Sequence, residues 1–137
     1  MSPANPAHRD LARRLLDDEL GARGDLSSVG NAAERVGQNF SLRLAPLVTG
    51  AGSQALLSRS LHLTRPEFEF LERLRVGPSS DHCFEGMDEA LRGVEATMAL
   101  DAFVVVFANL IGLLVTFIGE DLAIHAVREA WPDVQPR

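Results

Sequence analysis

Lysine and tyrosine are absent from this chain, and cysteine occurs once, as Cys83. With one cysteine no internal disulfide can form, so packing has to hold the fold. A lone thiol fits a reducing compartment, and a cytoplasmic location is expected. No segment alternates apolar and polar residues between turn signals, so no strand is expected. Basic charge is scarce: 13 basic residues, all Arg, stand against 19 acidic ones, for a net charge of −6. A net acidic chain without lysine repels phosphate backbones, which argues against nonspecific nucleic-acid binding. Ten of the arginines fall in residues 1–75, so only that half offers a local basic contact. Met1–Asp10 lacks the apolar core of a signal peptide, and residues 1–6 are expected to be disordered.

What is present is helical periodicity. At 137 residues and 46% apolar, residues 1–137 are long enough for one domain with a core of its own. Leu11, Leu15 and Leu16 mark a first helix over about Ala7 to Leu20. Val29, Ala33, Val36, Phe40, Leu44 and Leu47 step by three and four, the spacing of one helix face. Pro46 should kink or shorten that helix. Gly50 and Gly52 read as its end, with Ser53 capping a third helix that carries Leu56, Leu57 and Leu61. Thr64-Arg-Pro-Glu67 has the form of a capping box opening a short helix through Phe68, Leu71 and Leu74. A loop is expected from Gly77 to about Gly86. From Met87 to Ala130 the helical spacing runs on and stops at Trp131-Pro132. Unbroken, that helix would have about 45 residues and a length of roughly 67 Å, so a kink is expected near Gly112 or Gly119.

Inside it, Ala102 to Gly119 carries no charge. Such a run just reaches the length of a membrane span. Its flanks are Asp101, Glu120 and Asp121, with no basic residue to set an orientation. It contains Asn109 and Thr116, and amphipathic turns continue it on both sides. The expectation is therefore a central helix surrounded by protein, not a membrane helix. Ala108, Gly112 and Thr116 sit four apart on it and form a candidate interface where a second backbone can come close, within the chain or across a homodimer.

The polar candidates are sparse. Asp121, His125 and Glu129 share one helix face by their i, i+4, i+8 spacing. They read as a solvated face with ordinary pairs, or as a histidine held between carboxylates. His82, Cys83 and Glu85 cluster in the expected loop, but adjacent His and Cys do not match zinc-pair spacing, and no second pair exists. His8 and His62 could join them only through tertiary folding. Two histidines on separate segments of a helical chain would also permit a haem ligand, without any further globin-like feature. Thr49-Gly-Ala-Gly-Ser-Gln-Ala55 is similar to the glycine turn of short-chain dehydrogenases, yet Gln54 and Leu56 replace the later glycines and no strand–helix units follow. No ordered Ser-His-Asp set is visible. No catalytic, metal or cofactor-binding residue is expected, and no cofactor.

The segments Leu110-Ile-Gly-Leu-Leu-Val-Thr-Phe-Ile-Gly-Glu-Asp-Leu122, Ala130-Trp-Pro132, Ala33-Glu-Arg35 and Ala55-Leu-Leu57 resemble a loose group of small bacterial helical domains with no assigned activity. The resemblance implies a helical domain and carries over no catalytic residue. Taken with the periodicity, the fold expected is all-α: a bundle of four to five helices with a long apolar C-terminal helix. The function expected is a non-enzymatic interaction or regulatory module, partnered by another protein or by itself as a homodimer. The alternatives are a binder of a small apolar ligand or haem, and a membrane-associated helical protein.

Overall fold

The computed structural model describes residues 5–22, 24–44, 47, 50–79, 82–132 and 134. These form α1 (Pro6–Leu20), α2 (Leu26–Leu44), α3 (Gly50–Thr64), a 3-10 helix (Glu69–Arg73), β1 (Arg75–Ser79), β2 (His82–Glu85), α4 (Met87–Leu91), α5 (Ala96–Ile118) and α6 (Glu120–Ala130). The fold is helical, with α5 as its long apolar helix. α5 packs against α1, α2, α3 and α6. Its residues Ala102 to Ala108 are all buried.

α1 begins one residue before the expected boundary. The Asn5 side chain accepts a hydrogen bond from the Ala7 amide at 2.8 Å, with Pro6 in the first turn. Asn5 and Pro6 are thus a helix cap, not disordered chain, because the side-chain oxygen takes up a donor that the helix leaves open. Leu11, Leu15 and Leu16 are buried, as are Val29, Ala33 and Val36 of α2. Arg13 meets Asp101 at 2.8 Å, while His8 lies beside Gly112. α1 and α5 therefore run antiparallel.

Three boundaries differ from the sequence reading. Gly50, Gly52 and Ser53 are not an end and a cap: they lie inside α3. The Pro46 kink falls outside the described residues. Thr64 closes α3 instead of capping a new helix, since its hydroxyl donates back to the Ser60 carbonyl at 2.7 Å. The short helix that follows is a 3-10 turn, and Arg65 holds its end by donating to the carbonyls of Leu71 and Leu74.

The expected loop over Gly77–Gly86 holds an antiparallel pair, β1 with β2, in which Val76 faces Phe84 and Arg75 faces Glu85. A Cβ on Gly77 would overlap the His82 carbonyl. The hairpin is too small to stand alone. Its anchor is Glu34 on α2, whose two carboxylate oxygens accept the amides of Cys83 (2.8 Å) and Phe84 (3.1 Å). This grip places Phe84 edge-on to Phe103 and Phe107, with centroids 5.9 and 6.4 Å away. Phe107 stacks on Phe40 at 6.0 Å, and Phe40 meets Trp131 at 5.0 Å. Each such ring contributes about 1.5–3 kcal/mol by leaving water.

The single long C-terminal helix is three helices. The chain leaves helical geometry after Leu91 and again at Gly119, whose φ of +91° suits glycine and strains other residues. The expected bend at Gly119 is present, and Gly112 lies within α5.

Candidate binding surfaces

The three small residues of α5 have different surroundings. Ala108 is buried. At Gly112 a Cβ would come to 3.6 Å from the His8 imidazole. Thr116 is exposed, and its hydroxyl donates to the Gly112 carbonyl at 3.0 Å. The neighbour of Gly112 is thus the His8 side chain of α1 in the same chain, at ordinary contact distance.

α5 is exposed at both ends, at Thr97, Met98 and Asp101 and again at Thr116 and Phe117. Five large apolar side chains are exposed among the described residues: Leu42, Leu47, Met98, Phe117 and Leu122. Phe117 (66% exposed) and Leu122 (41%) stand within six residues of each other across the Gly119 break. Leu113, one turn before Phe117, is half-buried. The sequence reading passed over Phe117 because it placed the interface on the small residues Ala108, Gly112 and Thr116, where two backbones could come close.

The charged face of α6 forms only in part. His125 pairs with Glu129 at 3.1 Å, both exposed, and no ion pair joins Asp121 to them among the described residues. The other candidates are dispersed. His62 and His82 are exposed while Cys83 is buried, and Glu85 lies 3.8 Å from Arg75. Among the described residues no group of three or more His, Cys, Asp or Glu is placed to hold a metal ion. The Gly50–Ala55 stretch is the first turn and a half of α3 and follows no strand among the described residues, whereas a dinucleotide pyrophosphate is bound at a strand-to-helix glycine turn. His8 has its pKa lowered by burial, against the opposing pull of the Glu120 carboxylate.

Two concavities were not foreseen. One lies between α2 and the segment from β2 to α4, where Gly30, Asn31, Glu34, His82, Met87 and Asp88 line about 440 Å³. The other, about 470 Å³, lies among Arg9, Asp10 and Arg13 of α1, Glu67 and Phe68 of the turn after α3, and Asp101, Val104 and Val105 of α5. Val104 and Val105 are almost wholly covered, and the Nε of Arg9 is buried without a hydrogen-bond partner. The only sequence signal was Arg9 and Arg13, four apart on α1. No protein-family model matches this chain, and no curated protein or solved structure was found to be similar to it.

Proposed function

We propose that this chain is a non-enzymatic helical interaction module that pairs with a second copy of itself through the end of α5. The observation that carries this reading is the exposure of Phe117, with Leu122 also exposed five residues on, in a fold whose remaining aromatics are buried or half-buried. An aromatic at the centre of an interface contributes more than most contacts. Closed two-fold dimers are the commonest assembly, and in them the same patch meets its own copy. Each Phe117 then loses its water, for about 1.5–3 kcal/mol per ring. The acidic residues beside it, Glu120 and Asp121, are exposed and fit a solvated rim, where like charges are screened by salt.

Light scattering at tens of micromolar tests the assembly. A mass twice the 14.9 kDa of the chain is expected, returning to one chain in Phe117→Ser with the helical circular dichroism unchanged. A monomeric parent protein refutes the proposal. Gly112→Leu is the poorer probe, because it acts on His8 of α1 in the same chain.

A further inference from the structure

We propose that pairing of two copies builds two zinc sites at the contact, each made by His125 and Glu129 of one copy and Asp121 of the partner subunit. The inference rests on the pairing proposed above and states what its polar edge binds.

The argument starts from one face of α6. Leu122, His125 and Glu129 stand at i, i+3 and i+7, so one stripe of the helix carries all three, and all three are exposed. Leu122 is one of the two apolar side chains offered to the second copy. A contact that covers it brings His125 and Glu129 to its edge. These two are already set as a chelating pair, with His125 Nε2 3.1 Å from Glu129 Oε1. Two ligands held tetrahedrally by zinc at about 2.0–2.1 Å stand roughly 3.3 Å apart. An ion therefore fits between these atoms with small side-chain shifts. An imidazole nitrogen beside a carboxylate oxygen is a donor set that zinc takes.

Two ligands do not hold an ion, and one chain brings no third. Among the described residues no group of three or more His, Cys, Asp or Glu is placed for a metal within the chain, and no ion pair joins Asp121 to His125. The second copy supplies it. With the two α6 helices antiparallel about an axis at Leu122, residues before Leu122 in one copy oppose residues after it in the other. Asp121 of the partner subunit then stands two positions from the level of His125, about 3 Å along the helix. Asp121 and His125 are four apart and share a side of α6, and the two-fold axis keeps them on the same side of the contact. The ion also answers the charge there. Pairing gathers the exposed Glu120 and Asp121 of both copies, and a bound divalent cation offsets that like charge where salt only screens it.

The test is light scattering on the full chain, in chelator and with zinc chloride, with bound zinc counted by native mass spectrometry. Zinc should tighten the association by about tenfold or more and should be found on pairs, not on single chains. His125→Ala and Asp121→Asn should each lose the zinc effect and keep the mass seen in chelator. Both side chains are exposed, so neither change threatens the fold. Mixing the two variants tests the sharing. A pair of one His125→Ala chain and one Asp121→Asn chain has one complete site, because intact His125 and Glu129 face intact Asp121 across the contact. The mixture should therefore bind zinc that neither variant binds alone, and a mixture that binds none overturns the shared site. A dimer in chelator that does not respond to zinc overturns this inference and leaves the pairing standing. A chain that is monomeric with and without zinc overturns both.

Discussion

Replacing Glu34 by alanine removes a carboxylate that ties the hairpin to α2. Its carboxylate accepts from the Cys83 amide at 2.8 Å, the Phe84 amide at 3.1 Å and the Gln38 side chain at 2.9 Å. Cys83 and Phe84 are each 2% exposed, so their two amides lose their acceptor in a place water reaches poorly. A buried donor left open costs about 1–3 kcal/mol, which sets an upper range of about 2–6 kcal/mol for the pair. Water entering from the cavity beside Glu34 can satisfy one of them, and the expected loss is then about 2–4 kcal/mol. Glu34→Gln offers one acceptor oxygen where the carboxylate offers two and should fall about midway. Urea titration measures the loss, and native-state hydrogen exchange locates it, because the Cys83 and Phe84 amides should exchange faster than the centre of α5 does. Glu19→Ala is the control: its carboxylate lies 3.8 Å from Arg35 in a part-exposed pair, worth less than about 1 kcal/mol. A Glu34→Ala protein within about 0.5 kcal/mol of the parent, with both amides still protected, would refute the argument that this carboxylate holds the hairpin.

The other expectations concern separate features. Gly119→Ala puts a Cβ on a residue at φ +91° and should cost about 1–2 kcal/mol, read from the shift in melting temperature. Asn109→Ala removes the donor to the Thr64 hydroxyl at 2.9 Å and should cost about 1 kcal/mol, by urea titration. The Cys83 thiol, 2% exposed, should react with a disulfide reagent only as fast as the fold opens, and quickly in denaturant. For His8, burial favours the neutral ring and lowers its pKa from the ordinary 6.5. The unfolded chain therefore takes up the proton first, so this contribution to stability is complete above pH 6.5 and is lost as pH falls below that value. His8→Gln should flatten the difference between urea midpoints measured on the two sides of that window, whereas an equal slope in both proteins would show that burial of this ring is not linked to folding.

The helices were legible and the site was not, for one physical reason. The buried stripe of α2, from Val29 through Phe40, repeats at the helical period and needs no knowledge of its neighbours. The hairpin has no such signature. β1 contains Gly77 and Pro78, both poor strand residues, and the pair exists because Glu34, about fifty positions earlier in the chain, supplies its acceptors. The same holds at Thr64: a capping-box spacing was real, but its hydroxyl found the Ser60 carbonyl and accepted Asn109 from α5. Local patterns of polar residues name possible partners, and only tertiary packing chooses among them. Arg9 is the extreme case, since its Nε is buried without a hydrogen-bond partner, which no local pattern announces.

α5 shows how far cover, more than composition, decides what an apolar helix is for. By length and hydropathy, 23 residues at a mean of 2.3 over its most apolar window, it is able to cross a membrane, yet 61% of that window is buried within the fold. Its polar groups are already satisfied there, Asn109 by Thr64 and Thr116 by its own helix. Taking α5 out into lipid would break the Phe103 and Phe107 contacts with Phe84 and Phe40 and strip α1 of its partner helix, while lipid offers apolar side chains no better surroundings than the core does. The cover thins along the helix, complete from Ala102 to Ala108, partial at Leu113 and Val115, and open at Thr116 and Phe117. The enclosed stretch is the middle of the helix, and its large exposed apolar side chains are Met98 near one end and Phe117 near the other. The pairing we propose is placed at Phe117 because that side chain is the more exposed of the two, 66% against 51% for Met98.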